Sequence, residues 1–132
     1  MGGTKRYQEA GGFDYQTFEQ IGTTSNGIKI IKEIGGNSTT PMYSNTPYTM
    51  YASIDSRSQM IEKISVYRSE KGRRKIKDID LGHEHTNPDG RYFPADEIHV
   101  QIYDSNGIRS NIARRPSKKE KRIFMMAFYG RK

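Results

Sequence analysis

The chain has 132 residues, a net charge of +7 at pH 7 and no cysteine. The absent cysteines exclude a disulfide framework and a thiolate metal site. No apolar run approaches the ~20 residues of a membrane span, so no membrane partner is expected. The length suits a single domain over residues 1–132. The opening residues MGGTKRYQEAGG lack the apolar core of a signal peptide, which points to a cytoplasmic site of action, with delivery by a phage particle or by secretion as the other route.

Taken in order, Thr4–Ala10 reads as a short helix broken by Gly11-Gly12. Asp14 is placed to cap a second short helix through Gln20. Asn26-Gly27 marks a turn, and Ile28, Ile30, Ile31 and Ile34 form a strand-like run. Residues 37–47 have loop composition. Tyr48–Ile54, Met60–Tyr67 and Arg74–Leu81 then read as strands of an antiparallel meander, with Ser69-Glu70-Lys71-Gly72 as a hairpin loop. Ile98, Val100 and Ile102 alternate against His99, Gln101 and Tyr103, the period of a strand. Asp104-Ser105-Asn106-Gly107 is a turn, and Ile108–Ile112 forms a short strand. The fold class expected is therefore α+β: an antiparallel sheet of about four or five strands, with short N-terminal helices and a C-terminal helix.

That last helix has the clearest signature. Ser117-Lys118-Lys119-Glu120 fits a capping box, and Pro116 precedes it. Ile123 with Ala127 and Phe124 with Phe128 form an apolar stripe, and Gly130 ends it.

The charge is unevenly placed. Residues 104–132 contain nine basic side chains against two acidic ones, and the rest of the chain is balanced. Such asymmetry favours a polyanion as partner. Arg114, Arg115, Lys118, Lys119, Lys121 and Arg122 are the candidate nucleic-acid-binding residues. Four of them crowd the start of a helix, where the helix dipole is already positive. A bound phosphate relieves that conflict, whereas the alternative is a set of solvated side chains.

His83, His85 and His99 are the chain's three histidines and lie within one short span, beside Asp78, Asp80, Glu84, Asp96 and Glu97. Histidine titrates near neutrality, so a pair of them serves as general base and general acid in RNA cleavage. Arg91 is the candidate for holding the phosphate. A His-x-His metal site is the competing chemistry, and ordinary polar loop residues are the third reading. No cofactor is called for, and no P-loop is present.

The segments GRRKIKDIDLGHEH, EIHVQIYDSNG and ARRPSKKEK, with the opening KRYQEAGGFD, resemble C-terminal toxin-like domains. Such domains are found in phage minor-head proteins and bacterial polymorphic toxins. The resemblance spans Ile61–Arg115. It departs from that pattern at Phe93-Pro94-Ala95-Asp96, where a Pro-x-His element is expected. It implies a small nuclease, of the antiparallel-sheet-plus-helix kind similar to barnase or RelE-like ribonucleases, with His83, His85 and His99 catalytic and an immunity or target protein as a further partner. RNA is favoured over DNA. The alternative is a non-enzymatic phage-encoded protein that binds nucleic acid or inhibits a nucleoprotein complex.

Overall fold

The computed structural model describes residues 17–34, 40–44, 49–68 and 74–130. Its strands are β1 (Phe18–Thr23), β2 (Lys29–Glu33), β3 (Met50–Ile54), β4 (Ile61–Tyr67) and β5 (Lys75–Asp80). They continue with β6 (His85–Thr86), β7 (Tyr92–Phe93), β8 (His99–Tyr103) and β9 (Arg109–Arg114), and one helix, α1 (Lys118–Tyr129), follows. Seven strands form a single sheet in the order β1-β2-β3-β4-β5-β8-β9, and β6 and β7 make a separate two-stranded ribbon.

The α+β class holds, but its expected details need three corrections. The sheet has seven strands rather than four or five. It is mixed, because β2 pairs with β3 in parallel while the other neighbours are antiparallel. The helix expected from Asp14 to Gln20 is absent over its described part: Phe18–Gln20 open β1. The reason is tertiary. Phe18 buries its ring with Ile31, Tyr51 and Tyr67, and Glu19 faces Lys32 across the ladder. A one-residue capping signal is weaker than a ladder with a buried anchor. The Thr4–Ala10 helix and the Ser69–Gly72 loop lie outside the described residues.

The two sheet faces follow from register. Ala52, Ile64, Ile79 and Val100 sit side by side on β3, β4, β5 and β8. This apolar row meets Phe124 and Ala127 of the helix in the main core. On the other face, Ser65 is paired with Asp78, and Asp78 with Gln101. Lys63, Asp80 and His99 form the parallel polar row.

The helix begins as its sequence predicts. Ser117 Oγ accepts from the Glu120 backbone N–H, and Glu120 accepts from that of Ser117. Phe124 and Phe128 stack one turn apart, with ring centroids 6.1 Å apart. At the far end the Ser25 N–H donates to the Gly130 carbonyl at 2.8 Å. A Cβ at Gly130 would lie 1.9 Å from Ser25 Oγ, so glycine permits this approach.

Candidate active-site cleft

Strand alternation sends Asp78 and Asp80 to the face opposite Ile79, where both are buried. Two adjacent carboxylates in a low-dielectric interior need donors. Asp78 accepts from Ser65 Oγ and Tyr103 Oη, each at 2.6 Å. Lys63 and Lys75 lie within 4 Å of it. Asp80 is held by Arg109, whose Nη2 donates to Asp80 Oδ2 at 2.7 Å and to Gln101 Oε1 at 2.8 Å. Burial, then the neighbouring Asp78, raises the Asp80 pKa, with Lys63, Arg109 and His99 opposing.

A cleft of about 380 Å³ opens above this row, lined by Glu62, Lys63, Asp80, His83, Glu84, His85, His99, Gln101 and Arg109. The three histidines therefore reach one place, but they differ in access. His83 is mostly exposed, and its Nε2 lies 3.2 Å from Glu62 Oε2. Partial burial raises the Glu62 pKa, with Asp55 adding and His83 opposing. His85 is half-buried, and its Nε2 lies 2.8 Å from the Asn111 carbonyl. A carbonyl only accepts, so this nitrogen carries the proton and Nδ1 holds the lone pair. His99 is 1% exposed. It stacks beneath His85 at a centroid distance of 5.8 Å and packs against Phe93. Burial lowers its pKa; His85 and Arg109 add to this, while Asp80 and the Glu97 backbone oppose it. His99 is thus part of the cleft floor.

The segment carrying His85 reads as an irregular loop in sequence, yet it folds into the β6–β7 hairpin. Gly90 turns it at φ 94°. The Asn87 amide fastens it to β9 by donating to the Ala113 carbonyl (2.9 Å) and accepting from its N–H (2.7 Å). These two hydrogen bonds anchor the hairpin that carries His85 over His99.

Arg91 does not line the cleft; it stands on the hairpin, 5.1 Å from the Phe93 ring centroid. The cations that line the cleft are Lys63 and Arg109, the latter counted by sequence reasoning only as part of the basic segment. Glu62, Lys63 and Gln101 were also missed. The signal for the last was present, because alternation about Val100 puts His99 and Gln101 on one face. Among the described residues no group of three His, Asp or Glu side chains is arranged to hold a metal ion.

The basic segment divides as well. Arg114 pairs with Val100 in the ladder and so faces the helix, where both its terminal nitrogens donate to Glu120 at 2.8 Å. Lys77 adds a third donor at 2.6 Å. Arg114, then Lys77 and the Ser117 N–H, hold Glu120 far below the usual carboxylate range against its partial burial. Arg115, Lys118, Lys119, Lys121 and Arg122 are exposed.

Known proteins add nothing to this geometry. No family model, no curated protein and no solved structure matches the chain.

Proposed function

We propose that the cleft cleaves RNA phosphodiester bonds by histidine acid–base chemistry. The observation that carries this reading is the convergence of two accessible histidines and a pre-positioned arginine on one polar cleft. Glu62 orients His83, and the Asn111 carbonyl orients His85, through Nε2 in both cases. Nδ1 of each is then the nitrogen that exchanges a proton. One histidine takes the 2′-OH proton as O2′ bonds to phosphorus. The P–O5′ bond breaks, and the other histidine protonates O5′. The products are a 2′,3′-cyclic phosphate and a 5′-hydroxyl, and DNA lacks the attacking group.

Arg109 supplies charge to the phosphate. Its Nη2 is engaged by Asp80 and Gln101, which fixes the guanidinium while leaving the side chain 39% exposed. His99 acts as a positioning residue through its stack with His85. Asp80 Oδ1 is buried without a hydrogen-bond partner among the described residues. Such an orphan group costs roughly 1–3 kcal/mol. A small nuclease of this kind fits the toxin-like resemblance, with cytoplasmic RNA as target and an immunity protein as its counterpart.

The test is incubation of the protein with labelled RNA and DNA, with and without EDTA. RNA cleavage should survive EDTA, leave 2′,3′-cyclic ends and spare DNA. His83→Ala and His85→Ala should each lower the rate by about 10²–10⁴-fold. Full activity in His83→Ala, or cleavage that EDTA abolishes, would defeat this reading.

Exposed Lys118, Lys119, Lys121 and Arg122 favour a second reading, in which the protein binds nucleic acid without cutting it. Binding should then weaken steeply with salt and disappear in a Lys118→Glu, Lys119→Glu double variant, while His83→Ala has no effect.

A further inference from the structure

On the helix side of the same sheet end lies a second, larger cavity of about 720 Å³. Its floor is apolar: Leu81, Ile98, Met125 and Phe128, with Pro116 and the exposed Tyr129 at the margin. Its rim is charged in two separate places. Arg115 and Lys121 stand on the helix side, and Asp96 and Glu97 stand on the loop that leads into β8. The volume falls in the range of small-molecule sites, roughly 300–1,000 Å³.

The position of this cavity ties it to the cleft. Leu81 lines the cavity and His83 lines the cleft, with Gly82 alone between them. Two residues of chain span at most ~7 Å, so the two spaces open on opposite faces of the sheet at the same end, separated by this backbone. That backbone is pinned where the Gly82 N–H donates to the Ala95 carbonyl at 2.9 Å. Gly82 itself has φ 92°, a left-handed conformation that glycine adopts without strain. An RNA strand with its scissile phosphate in the cleft would reach the cavity by rounding this end of the sheet.

The lining matches such a nucleotide in three respects. The apolar floor and the Phe128–Tyr129 pair accept a flat ring, as aromatic side chains do in single-strand recognition. The two cations match a phosphate. The two carboxylates are acceptors for the amino hydrogens at a base edge.

We infer that this cavity is a nucleotide subsite, which holds the base of a nucleotide next to the one cut, favours purines over pyrimidines and places that nucleotide's own, uncut phosphate on Arg115 and Lys121. The inference rests on the RNA reading of the neighbouring cleft. The purine preference follows from the larger ring, which buries more of the apolar floor.

An NMR titration of the full chain, labelled at amides and methionine methyls, tests it with the 5′-monophosphates of adenosine, guanosine, cytidine and uridine. The purine nucleotides should shift the Met125 methyl and the Ala95 and Ile98 amides, with affinities about tenfold tighter than the pyrimidines. Tyr129→Ala and Arg115→Ala change exposed residues, and each should weaken purine binding about tenfold. His83→Ala should leave that binding unchanged while losing RNA cleavage. Shifts confined to His83 and His85, equal shifts from all four nucleotides, or no shifts at all would overturn the subsite. RNA cleavage by the wild-type chain, measured alongside, shows whether the cleft assignment survives such a result.

Discussion

The two faces of the central strands solve the same burial problem by opposite means. Toward the helix, Ala52, Ile64, Ile79 and Val100 form a row that needs only shape and apolar area. On the other side, Ser65, Asp78, Asp80 and His99 are equally hidden from water, yet each polar group there must find a partner or go without. The first face tolerates apolar side chains of similar volume. The second is specified atom by atom, because an uncompensated charge costs several kcal/mol. The contrast separates the cleft from its platform. A face built from fixed donors and acceptors orients a cleft, whereas the apolar face stabilises the platform beneath it.

The largest effect expected from breaking this contrast is on the apolar side. Phe124 is fully buried at the helix–sheet contact, and Phe124→Ala should cost about 4 kcal/mol in urea unfolding. The second is on the polar side. Asp78→Ala removes the acceptor shared by Ser65 and Tyr103 and leaves Lys75 buried beside Lys63. A loss of about 3 kcal/mol is expected, and a loss below about 0.5 kcal/mol, typical of surface sites, would show that the network contributes no structure.

The smallest effect is the pH dependence of stability. The His99 pKa is lowered from an ordinary 6.5. Below that ordinary value the unfolded state binds more protons than the folded one, so stability should fall as pH drops through and below 6.5. Asp80 works in the opposite direction, since its raised pKa makes the folded state take up a proton on acidification. His85 and Arg109 also face His99 and disfavour its charge. Unfolding free energies measured between pH 7 and 5 should therefore fall more steeply in Asp80→Asn than in wild type. A double variant with His99→Phe added should lose that extra slope. Equal slopes in all three proteins would show that the buried histidine does not govern the dependence.

Much of the sheet was legible in the sequence. The period-two pattern of Ile98–Tyr103 marked β8, and Asn106-Gly107 marked the turn before β9. Ser117 and Glu120 marked the start of the helix to the residue. In each case a local signal agreed with the tertiary outcome. Phe18–Thr23 failed because its strand state depends on partners in β2, which no local pattern reveals. The parallel pairing of β2 with β3 is non-local in the same way.

The site was legible in part. Three histidines close in sequence did reach one cleft. Their unequal burial was hidden, because it depends on which strand face each occupies and on the hairpin pinned by Asn87. Arg109 was hidden among nine basic residues because only register brings it opposite Tyr103 and within reach of Asp80. Arg91 was the nearer cation in sequence, but it stands on the hairpin and does not line the cleft.

The tie between Ser25 and Gly130 sets an order of events during synthesis. Strands β3, β4, β5, β8 and β9 follow one another in the sheet much as they do in the chain, so they can pair while the polypeptide is still being made. The turn between β1 and β2 waits longer. Its Ser25 N–H has no acceptor at Gly130 until residue 130 has been synthesised, and the Asn26 amide that donates to the Ile123 carbonyl waits almost as long. The first hairpin to be made is thus tied to the helix only once the last turn of that helix exists.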